Sequence, residues 1–79
     1  TMNQTTKKQV LKVIKQFQEV KKVRNFIAIP VGYQYQVSFT IYVDGEMTTY
    51  ASHQIATDIE KELKKFPELY LVVIHVEPI

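Results

Sequence analysis

The alternation of apolar and polar residues from position 33 to position 43 is the most regular pattern in the chain. Tyr33, Tyr35, Val37, Phe39, Ile41 and Val43 alternate with Gln34, Gln36, Ser38, Thr40 and Tyr42. A period of two places these two sets on opposite faces of a strand. The pattern therefore predicts a strand with one buried face, which ends at the turn residues Asp44 and Gly45.

Two other segments carry apolar residues at helical spacing and are predicted to be amphipathic helices. The first begins at an N-cap, Thr5 or Thr6, and ends near Gln18; its apolar positions are Val10, Leu11, Ile14 and Phe17. The second is capped by Thr48 or Thr49 and is terminated by Pro67; its apolar stripe is Ile55, Ile59, Leu63 and Phe66.

Two further strands complete the predicted fold. The run RNFIAI, ending at Ile29, is β-prone and is stopped by Pro30-Val31-Gly32. The run from Leu69 to Glu77 is continuously apolar over its first half, which is typical of a strand buried on both faces. The predicted order is α-β-β-α-β, an α+β fold in which strands one and two form an antiparallel hairpin and strands two and three are parallel.

This topology places both helices on one face of a three-stranded mixed sheet and leaves the other face open. The open face is expected to carry Ile27, Ile29 and Tyr42 beside polar side chains. An exposed apolar face is better explained by a partner than by solvent, and a twofold homodimer is the expected partner.

Length and composition limit the classes of protein to consider. The chain has 79 residues, of which 46% are hydrophobic and 23% charged, as in a single folded domain. The absence of cysteine excludes disulfides and thiolate zinc sites. The apolar runs are shorter than the roughly 20 residues of a membrane span, so the isolated chain is expected to be soluble. Thr1 precedes Met2, so we interpret residues 1–4 as a disordered remnant of tag cleavage and residues 5–79 as the domain of a longer protein.

The net charge is +2, and the excess is concentrated near the amino terminus. Up to position 24 the basic residues are Lys7, Lys8, Lys12, Lys15, Lys21, Lys22 and Arg24, against the single acid Glu19. We favour the solvated face of a lysine-rich helix over contact with nucleic acid or anionic lipid. Nucleic-acid modules of this size usually add stacking aromatics or a recognition motif, and neither is present.

Three side chains are candidate metal ligands: His53, His75 and Glu77. Alternation places His75 and Glu77 on one face of the last strand. His53 is expected in the first turn of the second helix, away from its apolar stripe. Two imidazoles and a carboxylate suit zinc and other divalent metals, although this spacing also fits a surface or capping role. Ser38 and Ser52 lack a nucleophile motif, so no enzymatic activity is expected.

A series of short motifs in a set order resembles the cytoplasmic C-terminal domain of the cation diffusion facilitator transporters. The motifs cover nearly the whole chain: Val20 and Val23 before a strand, Gly32, the alternating strand, S-H-Q-I-A-x-x-I-E-x-x-L from Ser52 to Leu63, Phe66-Pro67, and I-H-V-E-P from Ile74 to Pro78.

The resemblance implies a small metallochaperone-like (ferredoxin-like) two-layer domain in the cytoplasm, below a membrane-embedded transporter domain of the same parent chain. Such transporters export zinc or related divalent ions, usually in exchange for protons. Their cytoplasmic domains pair as a homodimer, and metal bound at the interface draws the pair together. Zinc is the first expected ion, with Mn, Fe, Co, Ni or Cd as alternatives, and no nucleic-acid partner is implied.

The resemblance assigns His53, His75 and Glu77 to the cytoplasmic metal site of that family, and it also shows departures. Arg24 and Thr40 stand where well-studied members have histidines, and Ile27 and Ile29 stand where they have arginines. We therefore expect at most one weaker site, completed by water or by the partner subunit, in place of a two-metal cluster.

Three hypotheses follow. The first is a metal-sensing regulatory and dimerisation domain of a divalent-cation efflux transporter. The second is a structural dimerisation module with the same fold that does not respond to metal. The third, more distant, is a small basic nucleic-acid-binding domain.

Overall fold

The computed structural model describes residues 2–79 and has the predicted order of elements. The helices are α1, Gln4–Lys15, and α2, Thr49–Leu63; the strands are β1, Lys22–Val31, β2, Gln34–Val43, and β3, Leu69–Pro78. The sheet has the order β1-β2-β3. β1 and β2 are antiparallel, and β2 and β3 are parallel, as predicted.

The central strand β2 supplies the middle of the hydrophobic core. Its alternating residues Val37, Phe39, Ile41 and Val43 are all buried, as the period of two predicted. From the helices they meet Val10 and Ile14 of α1 and Ile55, Ile59 and Leu63 of α2. We call the side of the sheet that these residues occupy the inner face. Burial of this surface holds both helices on one side of the sheet.

On the opposite side, which we call the outer face, the side chains of the three strands align in rows. The strand pairing aligns Lys22, Tyr42 and Glu77 in a first row and Arg24, Thr40 and His75 in a second. The third row consists of Ile27, Ser38 and Val73, and the fourth consists of Ile29, Gln36 and Leu71. Neither helix covers this face, so Ile27 and Ile29 remain 52% and 50% exposed, as expected.

A β-bulge in β1 brings its two halves onto the same face. The register shifts between Arg24 and Ile27, and Asn25 in the bulge has φ of 60°. Asparagine tolerates this left-handed conformation better than most residues. The bulge directs Phe26 inward, where its ring stacks on Phe39 with centroids 6.2 Å apart. It also places Arg24 and Ile27 on the outer face together, although simple alternation would separate residues three apart.

Some of the expected boundaries were wrong. The N-cap of α1 is Asn3, whose side chain accepts a hydrogen bond from Thr5 N at 2.7 Å, and the helix ends at Lys15. Neither Thr5 nor Thr6 is the cap, so Asn3 and Gln4 belong to the helix start although they fall within the expected disordered remnant; Met2 is buried. Thr1 lies outside the described residues.

The strands also depart from expectation. β1 continues through Pro30, which an edge strand allows because its N–H side needs no ladder partner. Tyr33 lies in the two-residue turn after β1 and is fully exposed, so it is not part of the buried row. β3 is not buried on both faces: it is an edge strand, and Leu71 on its outer side is 38% exposed.

The bulge gives a test of this description of β1. Replacing Asn25 by Val puts a β-branched side chain at positive φ, which should destabilise the fold by about 1–2 kcal/mol. Asn25→Gly should be neutral or slightly stabilising, because glycine adopts this conformation freely. Urea unfolding of both variants measures the difference, and equal stabilities would contradict a left-handed bulge at this position.

Candidate metal site

His75 and Glu77 lie on the outer face of β3, and both are exposed. Residues of a strand share a face when they are two apart, so Leu71 and Val73 lie on the same side. His75 pairs with Thr40 and Glu77 with Tyr42 in the parallel register with β2. The imidazole and the carboxylate are therefore presented side by side to whatever approaches this face.

His53 is carried by α2, and it too is exposed, off the buried stripe as predicted. The helix begins at the expected cap: Thr48 accepts a hydrogen bond from Ala51 N at 3.1 Å. The Ser52 hydroxyl donates to Thr49 O at 3.0 Å in the same turn. His53 is the fifth residue of Thr49–Leu63, so its expected position in the first turn was wrong by one residue. The helix dipole acts most strongly within the first turn, and His53 lies just beyond it.

The start of α2 and the end of β3 meet at one end of the sheet. Because β2 and β3 are parallel, their carboxyl ends lie together, and α2 starts shortly after β2 ends. A small cleft of about 130 Å³ forms there, with Glu77 and Ser52 among its lining residues. The residue before His53 and the carboxylate of the strand thus share one cleft.

A single copy nevertheless does not assemble the three candidates into a ligand shell. Within residues 2–79 no group of three His, Cys, Asp or Glu side chains is arranged to hold a metal ion. His75 and Glu77 are neighbours on the sheet, and His53 stays on the helix. These are donors suited to zinc, but one chain leaves them incomplete as a site.

The residues in the second row of the outer face explain in part why one copy does not complete a metal ligand shell. Arg24, Thr40 and His75 occupy one row across the three strands, so the two positions where the family resemblance leads us to expect histidines share the row of His75, with Thr40 next to it and Arg24 one strand farther. Thr40 is only 7% exposed between them. The Arg24 guanidinium donates to its neighbour's carbonyl, Val23 O, at 2.9 Å. A permanent positive charge in this row disfavours a second cation there.

Other features of the outer face were not anticipated from the sequence. Lys22 lies in the first row, with its ammonium group 5.3 Å from the centre of the Tyr42 ring. Leu71 and Val73 extend the apolar part of the face onto β3. The sequence contained one signal for the position of Lys22 and Arg24, an asparagine inside a β-prone run, which is a residue that tolerates the bulge conformation.

The larger surface clefts lie on the helical side of the molecule. A groove of about 430 Å³ between α1 and α2 is lined by Val13, Gln16, Phe17, Asp58, Lys61 and Glu62. It holds neither of the two histidines of the chain. None of the helices described is long and apolar enough to cross a bilayer.

Comparison with known proteins gives a family match over the described chain. The family model described as the cytoplasmic domain of cation efflux proteins matches residues 2–79. None of the curated proteins is significantly similar to the chain.

Solved structures share the whole fold. The cytosolic domain of a cation diffusion facilitator family protein is 30% identical, with a TM-score of 0.89 and coverage of 99% of this chain and 98% of that one. The metal-bound C-terminal domain of the CzcD transporter from Thermotoga maritima is 31% identical, with a TM-score of 0.86 over 98% of this chain and 94% of that one. A nickel form of a MamM C-terminal domain variant has the same fold at 17% identity, with a TM-score of 0.88 over 98% and 99% of the two chains.

The cap of α2 holds the turn that precedes His53 and can be tested directly. Thr48→Ala removes the acceptor for Ala51 N and should lower the free energy of unfolding by about 1 kcal/mol. Thr48→Ser, which keeps the hydroxyl, should lose little. Thr49→Ala is a matched control, because Thr49 is exposed and does not cap the helix. Urea unfolding followed by circular dichroism measures all three; equal losses at positions 48 and 49 would contradict the cap.

Proposed function

The chain belongs to the family of cation efflux protein cytoplasmic domains, and from this membership we propose that it is the regulatory and dimerisation module of a divalent-cation efflux transporter. In this role it performs no chemistry on a substrate. Two copies pair below the membrane-embedded part of their parent chains, and metal bound between them stabilises the pair.

The observation that carries the pairing is the uncovered outer face of the sheet. Ile27, Ile29 and Leu71 are 52%, 50% and 38% exposed on one side of a domain of 79 residues. A domain this small buries only about 60% of the surface its unfolded chain exposes, so covering this face adds needed stabilisation. A second copy of the same chain covers it with an identical, self-complementary surface.

The metal part of the proposal rests on His75, Glu77 and His53. The first two face outward together, and Glu77 lines the cleft that the start of α2 shares with the end of β3. Neutral imidazole nitrogens and a carboxylate fit zinc, and they also accept Mn, Fe, Co, Ni or Cd. Because one copy does not complete the shell, the remaining ligands in this proposal come from water or from the second copy. The metal-bound CzcD domain supports the assignment by its similarity to this chain.

Such a site would regulate by shifting a population. Metal that binds the closed pair more tightly than separate or open copies stabilises the closed pair, by an amount set by the difference in affinity. The uncovered apolar face supplies a metal-independent contact, and the ligand set makes the strength of that contact depend on metal. Zinc removal would then loosen the pair without unfolding the domain.

Calorimetric titration with zinc, manganese and cadmium tests the metal site. The wild-type chain should bind at least one of these ions, and the His53→Ala, His75→Ala double variant should lose most of the heat, because two of three ligands are gone. Glu60→Ala serves as the control: it removes an exposed carboxylate from α2 outside the proposed shell. Identical heats from the wild type and the double variant would rule out this site.

One observation favours a second function, a dimerisation module that does not respond to metal. Arg24 and Thr40 stand in the row of His75, so a hydroxyl side chain lies next to the proposed ligand and a cationic one lies one strand farther. In that case pairing would persist unchanged in the presence of a strong chelator, and the same titration would give no specific heat.

Pairing through the outer face is tested by placing a charge on it. Ile29→Glu should raise the dissociation constant of the dimer by about tenfold or more, since it places a carboxylate in an apolar contact. Tyr50→Glu is the matched control, because Tyr50 is 81% exposed but lies on α2. Light scattering and sedimentation give the assembly state. A wild-type monomer at high micromolar concentration, with and without zinc, would disprove dimerisation.

A further inference from the structure

The outer face is divided into a charged end and an apolar end. The first two rows carry Lys22 and Arg24 on β1 and His75 and Glu77 on β3. The next two rows carry Ile27 and Ile29 on β1 and the aliphatic Val73 and Leu71 on β3. Basic residues therefore lie along one edge of the charged end, and the acid lies along the other.

These charges have no ionic partner among the residues that the structure describes. Among residues 2–79 the structure contains one salt bridge, between Glu62 of α2 and Lys65, which follows that helix. Lys22 and Glu77 are in the same row but on strands one and three. Two strand spacings separate them by roughly 10 Å, too far for an ion pair. Arg24 is engaged by a neighbouring carbonyl alone.

The row pattern discriminates between the ways in which two such faces can pack. With the twofold axis parallel to β2, β1 of one copy lies over β3 of the other and each row meets itself. Lys22 then faces Glu77, Ile27 faces Val73 and Ile29 faces Leu71. With the axis perpendicular to β2 and centred on the face, each charged row instead meets an apolar row. Shifting that axis toward the charged end places Lys22 over Lys22 and Glu77 over Glu77.

We infer that two copies pack outer face to outer face about a twofold axis parallel to β2, so that Lys22 and Arg24 of each copy form ion pairs with Glu77 of the other. This inference rests on the proposed dimerisation and specifies its geometry. Lys22 lies directly opposite Glu77. Arg24 is one row away, about 7 Å along the strand, which its long side chain spans. Symmetry repeats the set, giving two such clusters in one interface.

The arrangement gives the dimer an electrostatic clamp that operates without metal. In this arrangement the side chains of Lys22 and Arg24 supply positive charge opposite the Glu77 carboxylate of the other copy. A metal ion that binds Glu77 must compete with these two side chains, so metal occupancy and ion pairing are linked through one carboxylate. The interface should consequently weaken as salt concentration rises, even in the presence of a chelator.

Charge reversal tests the clamp, with the dimer dissociation constant measured by sedimentation in low salt with chelator present. Lys22→Glu and Glu77→Lys should each raise it by about tenfold or more, because the first replaces two attractions by repulsions and the second replaces four. The double variant carrying both reversals should bind more tightly than either single reversal, since the directly opposed pairs re-form with opposite polarity and only the more distant Arg24 then faces a like charge. Lys21→Glu is the control: it makes the same charge change beside Lys22 but outside the rows, and it should have little effect.

Chemical cross-linking tests the axis independently and leaves every charge in place. The chain has no cysteine, so Ile27→Cys and Val73→Cys can be prepared separately, one with an affinity tag, then mixed and treated with a short bismaleimide. Tagged-to-untagged cross-links between the two variants should exceed those within either variant several-fold, because packed sheets lie about 10 Å apart and only facing positions are that close.

The outcomes separate this inference from the proposed function. A wild-type monomer in low salt overturns both. A wild-type dimer in which the double reversal fails to restore affinity, or in which cross-links form within one variant as readily as between the two, overturns the arrangement and leaves dimerisation standing. Restored affinity together with preferential cross-linking between Ile27→Cys and Val73→Cys supports the arrangement.

Discussion

Burial of the inner face of β2 is the contact on which the rest of this domain depends. Val37, Phe39, Ile41 and Val43 are nearly inaccessible to solvent and form the floor on which α1 and α2 pack. β2 is also the only strand with a neighbour on each side, since the order is β1-β2-β3. Loss of its inner row would remove the contacts with both helices. It would also remove the burial of one face that fixes the register of the strands.

The small size of the domain leaves the outer face uncovered. A chain of this length forms two layers, one of helices and one of sheet, and has no third layer to cover the far side. The uncovered side therefore carries the residues proposed to bind metal or a second copy. These are the histidine and carboxylate of β3, the basic residues of β1 and the aliphatic side chains at the other end of both strands. The proposed pairing and the inferred ion-pair clamp both concern this one surface.

Predictability from sequence differed between elements for identifiable reasons. The existence and type of β2 and α2 were predicted correctly because their periods, two and 3.6, repeat over many residues, although Tyr33 lies before β2 and Phe66 lies after α2. The cap at Thr48 was predicted, whereas α1 was assigned the wrong cap because Asn3 precedes two threonines that also suit that role. β3 was taken to be buried on both faces because an apolar run does not show whether a strand lies at the centre or the edge of a sheet.

What the sequence determined by itself is the identity of the elements, their order, and the outward direction of His75 and Glu77, because local periodicity and alternation are properties of consecutive residues. Only the tertiary structure decided how the strands align. The register puts Arg24 and Thr40 in the same row as His75, and the bulge at Asn25 moves Lys22 and Arg24 onto the face of Ile27. A shift of one residue reverses the face of every side chain beyond it, and the bulge conformation is stabilised by contacts between strands, such as Phe26 on Phe39. Whether His53 joins His75 and Glu77 likewise depends on a helix and a strand far apart in sequence, and within one copy they do not assemble a metal site.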